Sequence, residues 1–311
     1  MPPDMLSPVS VIMPAFNAAG SIGRALASLA AQTRPPAEII VVDDGSTDAT
    51  AAVVQAEIEN LLPSRLVLVT QPNRGAGAAR NRAIEVATQP FLGFLDADDR
   101  WLEQKIELCL PAFEDPAVRL VCTDFDLVTA DGQTQRLRSS RRLGNPARSL
   151  HDQFLYGSVG TSTVLARRDA VLRAGGFDDR LPAAQDYDLW IEILGEPGAR
   201  LVVLEEPLTA YTGGHSGITG NVAKRRDCSM LSLYQQAWRL RGAGEMVALA
   251  DVMKRTLIVH LQAVAAHREK TEIMRIPGDI ILMLCRLPLA ALRLYLPAQR
   301  QRALTGDSDR G

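Results

Sequence analysis

Within its first hundred residues the chain repeats one pattern: an apolar run of strand length, then a segment with apolar residues at helical spacing. The runs at 9–13, 39–42, 65–70 and 91–95 read as strands, and Pro14 is expected to end the first of them. The segments at 21–32, 51–61 and 75–87 read as helices, the first carrying Ile22, Ala25, Leu26 and Leu29 on one face. Alternation of this kind folds into a mostly parallel sheet with helices on both faces, because each parallel pairing needs a crossover. Such sheets bind ligands beyond the carboxyl ends of their strands. The polar motifs obey that geometry: Pro14-Ala15-Phe16-Asn17, Asp43-Asp44 and Asp96-Ala97-Asp98-Asp99 each follow directly after an apolar run.

After residue 100 the pattern loosens. A helix is expected over 101–114, a strand over 119–128, a turn at Asp131-Gly132 and a strand over 161–166. Residues 136–148 carry five arginines without apolar periodicity and read as a mobile loop. A helix over 168–174 is stopped by Gly175-Gly176, a further helix covers 186–194 and a strand 201–204. Everything beyond 221 reads as helical, so a boundary is placed near residue 220, dividing 1–220 from a helical region at 221–311. A net charge of -2 over 311 residues argues against a nucleic-acid-binding surface. The cysteines, Cys109, Cys122, Cys228 and Cys285, form no Cys-x-x-Cys pair and suit a reduced cytosolic compartment. No secretory leader is expected from residues 1–10.

Three carboxylates at Asp96, Asp98 and Asp99 repel one another unless a cation or solvent screens them. Asp-x-Asp at a strand mouth is a natural seat for a hard divalent ion shared with a phosphate-bearing substrate. The alternative is an acidic turn whose last Asp caps a helix beginning near Trp101. Asp43-Asp44-Gly45-Ser46-Thr47-Asp48 offers carboxylates to a base or ribose, or serves as ordinary turn and cap chemistry. In Asn73-Arg74-Gly75-Ala76-Gly77-Ala78-Ala79-Arg80-Asn81, small residues open a helix whose N-terminus favours an anion, with Arg80 one turn inward. The segment lacks the third glycine of a dinucleotide-binding fingerprint.

In this order the four motifs resemble the family 2 glycosyltransferases, nucleotide-sugar-dependent enzymes with the GT-A fold, over roughly residues 8 to 215. The resemblance implies an α/β fold, GT-A in architecture, over 1–220, with a C-terminal helical extension. It implies that Pro14, Asn17, Asp43, Asp44 and Arg80 hold the nucleotide, and that Asp96 and Asp98 hold the sugar and a Mg²⁺ or Mn²⁺ bridging the diphosphate. Asp99 is an alternative metal ligand. The family's acidic motif matches Gln185-Asp186-Tyr187-Asp188, which makes Asp186 the base of an inverting transfer, with Gln185 in place of the usual Glu. A neutral neighbour should make Asp186 easier to ionise than in its relatives. Downstream, Tyr211-Thr212-Gly213-Gly214-His215 departs from the family's Tyr-Arg-x-His, leaving His215 as a candidate metal ligand. The expected partners are a nucleoside-diphosphate sugar, UDP foremost, and a glycan or lipid-linked acceptor; the acceptor cleft would lie among Thr161-Ser162-Thr163, the Asp186 helix and the arginine loop. Arg138, Arg141 and Arg142 would then grip an anionic acceptor, unless the loop is merely solvated.

Two other readings stay open: a nucleotidyltransferase, against which the absence of a basic glycine-rich loop after the first strand counts, and a non-catalytic nucleotide-sugar-binding protein. Residues 276–296 carry Asp279, Arg286 and Arg293 on one stripe of a helix that is otherwise apolar. Its arginines would meet anionic head groups in a peripheral membrane contact at the cytoplasmic face, or the helix would pack against protein.

Overall fold

The computed structural model describes residues 6–129, 132–212, 221–242, 247–270 and 272–295. Contacts group the chain into two compact units, one of residues 1–153 and 157–215, the other of 154–156 and 216–311.

The first unit runs β1 (Ser7–Ala15), α1 (Ile22–Ala30), β2 (Pro36–Asp43), α2 (Thr50–Ala56), β3 (Arg65–Thr70), α3 (Ala76–Val86) and β4 (Phe91–Phe94). It continues through β5 (Arg100–Trp101), α4 (Lys105–Cys109), β6 (Val118–Val128), β7 (Thr134–Leu137), α5 (Ser140–Leu143) and the first part of α6 (Ser149–Tyr156). β8 (Leu165–Arg167), α7 (Arg168–Arg173), α8 (Gln185–Leu194) and β9 (Arg200–Thr212) complete it. The strands form one sheet in the order β3-β2-β1-β4-β8-β6-β9-β5, with β7 added against β6. The four strands of the first hundred residues are mutually parallel, while β8 joins β4 and β6 antiparallel.

Alternation along the central strands divides the core into two layers. Ile12, Ile40, Val42 and Phe94 point into one cluster, which α3 fills with Ala79, Ala83 and Ile84 and α8 with Leu189, Trp190 and Ile193. Val11, Met13, Ile39 and Val41 point the other way, into a cluster filled by Ile22, Leu26 and Leu29 of α1 and Ile106 of α4. Strands buried on both faces read as continuous apolar runs, and that made them legible.

Four local expectations are corrected. Pro14 lies inside β1, because the β1–β4 ladder already stops at Ile12 and a missing N–H there costs no bond to β4. Trp101 is in a strand, pairing with Thr209 of β9, and the helix begins only at Lys105. Residues 136–148 are folded: β7 pairs with β6, the Ser140 N–H and Oγ donate to Asp124 at 2.9 and 2.8 Å, and Leu143 is buried. Arg136 is committed to Asp126 at 3.0 Å. The first half of the strand expected at 161–166 is a 3₁₀ turn, Thr161–Thr163.

The second unit consists chiefly of α9 (Val222–Gly242), α10 (Leu249–Glu269) and α11 (Ile276–Tyr295). On α11 the charged stripe faces its own neighbours. Asp279 is buried between Arg226 and His267, whose Nε2 lies 3.2 Å away, and Arg286 reaches Asp227 at 2.9 Å. Arg286 is therefore directed at α9 rather than at a head group. Ile280, Ile281 and Leu284 are exposed instead. Among the described residues no helix is long and apolar enough to cross a membrane.

Candidate active site

The ends of β1, β2 and β3 converge through their polar caps. Asn17, held at φ 50°, accepts the Thr47 N–H through Oδ1 at 2.9 Å, and its own N–H donates to Ser46 Oγ at 2.9 Å. Asp43 turns the chain by accepting the Ser46 N–H at 3.0 Å. Asp44 is buried and accepts from Gln71 Nε2 at 2.7 Å, the Arg74 N–H at 2.9 Å and the Gly75 N–H at 2.8 Å. That carboxylate therefore shapes the loop opening α3, and any contact it makes with a nucleotide uses the lone pairs left over. Pro14 is buried in β1, while the adjacent Phe16 is half exposed at the mouth.

Arg80 links this mouth to the acidic cluster. Its guanidinium is buried, pairs with Asp96 Oδ1 at 2.5 Å and lies 5.3 Å from the centre of the Phe177 ring. Burial opposes that charge, and Asp96 with Asp186 overcomes the opposition, holding Arg80 firmly charged. The three carboxylates of the cluster are unlike. Asp99 is buried and engaged at both oxygens, Oδ2 taking the Ser162 hydroxyl at 2.6 Å and Oδ1 the Thr212 N–H at 3.0 Å. Burial, then Asp96 and Asp98, push its carboxyl well above the ordinary range. It anchors the turn from inside and caps no helix. Asp98 reaches solvent; even so, its enclosed side and then the Asp96 charge raise its carboxyl above the usual value. Thr212 also donates its hydroxyl to the Asp98 carbonyl at 2.5 Å. Part of the altered downstream motif thus clamps the acidic turn, while Gly213, Gly214 and His215 lie outside the described residues.

Asp186 occupies the first turn of α8. Its Oδ1 accepts the Tyr187 N–H at 2.8 Å and its Oδ2 the Thr161 hydroxyl at 3.1 Å. Burial raises its carboxyl, against the Tyr187 N–H, Arg80 and Thr161, which favour the charged form. Gln185 packs on the start of α3: a Cβ on Gly77 would lie 2.7 Å from its amide nitrogen. Among the described residues, the non-glycine positions with positive φ are Asn17 and Ala184, the latter at 59° immediately before Gln185. Each such residue costs about 1–2 kcal/mol, a strain typical of functional sites.

The donor set suits a hard divalent cation. Among the described residues no three metal-binding side chains converge, but Asp96 and Asp98 offer carboxylate oxygens with Asp99 withdrawn. Two carboxylates are what a cation completing its shell with phosphate oxygens and water requires.

The doubly covered α/β sheet, with an acidic turn, a buried arginine and a helix-borne carboxylate at its carboxyl edge, has the GT-A architecture. The sequence profile described as glycosyl transferase family 2 matches residues 10–173. The chain is 34% identical over 209 residues to the amylovoran biosynthesis glycosyltransferase AmsB of Erwinia amylovora, covering 65% of this chain and 68% of that one. It is 26% identical over 218 residues to the Escherichia coli UDP-Glc:alpha-D-GlcNAc-diphosphoundecaprenol beta-1,3-glucosyltransferase WfgD, covering 70% and 81%. The crystal structure of S. aureus TarS with UDP-GlcNAc superposes with a TM-score of 0.65 at 20% identity, over 91% of this chain and 81% of that one. The mannosyltransferase PcManGT of Pyrobaculum calidifontis, solved with GDP-Man and Mn²⁺, gives 0.59 at 20% identity, over 93% and 87%. The chain belongs to glycosyl transferase family 2.

Proposed function

We propose that the protein transfers a sugar, with inversion, from a nucleoside-diphosphate sugar to a hydroxyl of a lipid-diphosphate-linked glycan, in cell-surface polysaccharide synthesis. The observation that carries this is the convergence of three motifs on Arg80: it pairs with Asp96, and Asp186 contributes to its charge from α8. In this reading Asn17, Asp43, Asp44 and the rim at Pro14 receive the nucleoside, with Phe16 as a face for the base. Asp96, Asp98 and Arg80 receive the sugar diphosphate. Asp186 takes the proton of the attacking hydroxyl through a lone pair that Thr161 and Tyr187 leave open, and its raised pKa makes it a stronger base once ionised. Mg²⁺ or Mn²⁺ at Asp96 and Asp98, when bound, supplies positive charge beside the diphosphate. UDP is the first expectation, since TarS was solved with UDP-GlcNAc; the GDP-Man of PcManGT keeps guanine in the panel. The nucleotidyltransferase alternative falls with the family assignment. The test is release of nucleoside diphosphate from UDP-, dTDP- and GDP-sugars with either metal, together with calorimetric titration of Asp98→Ala. The variant should lose metal-dependent donor binding; equal affinity in both proteins would move the metal elsewhere, and no turnover with any donor would leave a binding protein.

The lipid-linked acceptor is supported by the diphosphoundecaprenol-linked acceptor in the name of WfgD and by the exposed Ile280, Ile281 and Leu284. A helix that buries its Asp and exposes its Ile and Leu suits a membrane interface, with exposed Arg275 at its edge for anionic lipid. The cytoplasmic face fits cysteines that are all free. Cosedimentation with phosphatidylglycerol vesicles should be strong for the wild type and reduced in Ile281→Ser/Leu284→Ser. Wild-type protein that ignores such vesicles at low salt would retire the membrane role.

A further inference from the structure

Lys105 is fully buried, yet no carboxylate neutralises it in the interactions the structure shows. Its ammonium has three donors and meets three oxygens: Thr163 O at 2.9 Å, Thr209 Oγ1 at 3.1 Å and Thr123 Oγ1 at 3.3 Å. The Trp101 ring lies 5.3 Å away. A buried, uncompensated charge is costly, and a hydrophobic side chain would fill the same space without that cost. Burial accordingly lowers this lysine to about 8.

What the ammonium grips is one end of the Thr161–Thr163 turn, and that turn touches both halves of the site. Thr161 donates to Asp186 at 3.1 Å. Ser162 donates its hydroxyl to Asp99 at 2.6 Å, accepts the Asp96 N–H at 3.1 Å, and donates its own N–H to the Tyr211 hydroxyl at 2.9 Å. The Ser162 carbonyl is held from below by the Trp101 indole at 2.8 Å and by Thr209 at 3.2 Å, the same Thr209 that receives Lys105.

We infer that Lys105 is a positioning residue: seated on Thr163 O and Thr209, it holds the Thr161–Thr163 turn that spaces the donor-binding carboxylates from Asp186. The catalytic meaning of that spacing rests on the function proposed above; the spacing itself does not. An ammonium serves here because its three hydrogen bonds fix a backbone carbonyl and two strands at one point. An apolar side chain would fill the volume and leave the turn unpinned.

Protein labelled with ¹³C at aspartate carboxyls tests this without substrate, the Asp99 and Asp186 resonances being assigned from Asp99→Asn and Asp186→Asn. In folded Lys105→Met both resonances should move, although Lys105 makes no contact with either group. Thr209→Val, which removes one seat of the ammonium and one support of Ser162, should move them in the same direction by less, and it decides the matter if Lys105→Met does not fold. With the donor that the wild type turns over, kcat should fall about 10- to 100-fold, as for a misplaced reacting group, while donor KM stays within about threefold. Unmoved carboxyl resonances in a folded variant would overturn the inference. Full activity in Asp186→Asn would sink the proposed base yet leave the resonance result standing.

Discussion

The mouth of the sheet and the C-terminal helices both bury charge, in opposite manners. In the helical unit Asp279 is enclosed between Arg226 and His267, and each charge there meets another side chain at hydrogen-bond distance. At the mouth, Asp99 meets a hydroxyl and a backbone N–H, one at each oxygen, while Asp98 beside it stays open to solvent. A buried charge enclosed by opposite charge serves packing specificity, whereas a carboxylate open to solvent keeps acceptor sites free. Lys105 is a third case, a buried charge whose hydrogen bonds among the described residues run to neutral oxygens.

The sharpest way to break the contrast is Asp186→Asn, which keeps shape and removes basicity. Transfer should fall by about 10²- to 10⁴-fold with donor binding nearly intact. Because burial raises Asp186, the acidic limb of the wild-type kcat profile should lie above the ordinary aspartate range, activity rising with pH as the carboxyl ionises. Wild-type turnover in the variant would reassign the base, with Asp188 tested next. In the helical unit the corresponding lesion should cost stability and leave chemistry alone. Asp279→Ala removes one of the two carboxylates that meet Arg226, Asp227 remaining at 3.0 Å, and should destabilise in denaturant unfolding by less than the about 3–5 kcal/mol of a wholly uncompensated buried charge, whereas Arg226→Met/Asp279→Leu should come closer to neutral. If the double variant is as damaged as the single one, the pair is more than a packing device. The smallest effect concerns Lys105. Unfolded, it should hold its proton to about 10.5, and folded to about 8, so the unfolded state binds more protons between those values. Stability of the wild type relative to Lys105→Met should then rise with pH across that window, by up to about 1.4 kcal/mol per unit. A flat difference would mean that the ammonium keeps its proton when folded.

Legibility in the sequence followed the range of the interactions. The central strands were readable because burial on both faces leaves continuous apolar runs, and the run expected at 39–42 lies wholly buried inside β2. Residues 136–148 were not, because what orders them comes from β6: Asp124 holds Ser140 and Asp126 holds Arg136. The stripe of Asp279 and Arg286 on α11 was visible in the spacing, but its direction was not. Periodicity says that residues share a face and is silent on which face turns inward.

The order of motifs after successive strands determined the family and the kind of site, since a strand end in a parallel sheet can point only at the shared carboxyl edge. Tertiary structure alone decided how the carboxylates divide the work. Asp96, Asp98 and Asp99 are chemically identical and lie within four positions of sequence. Only the approach of Arg80, Ser162 and Thr212, from elements distant along the chain, pairs the first with a guanidinium, leaves the second open and buries the third with both oxygens engaged.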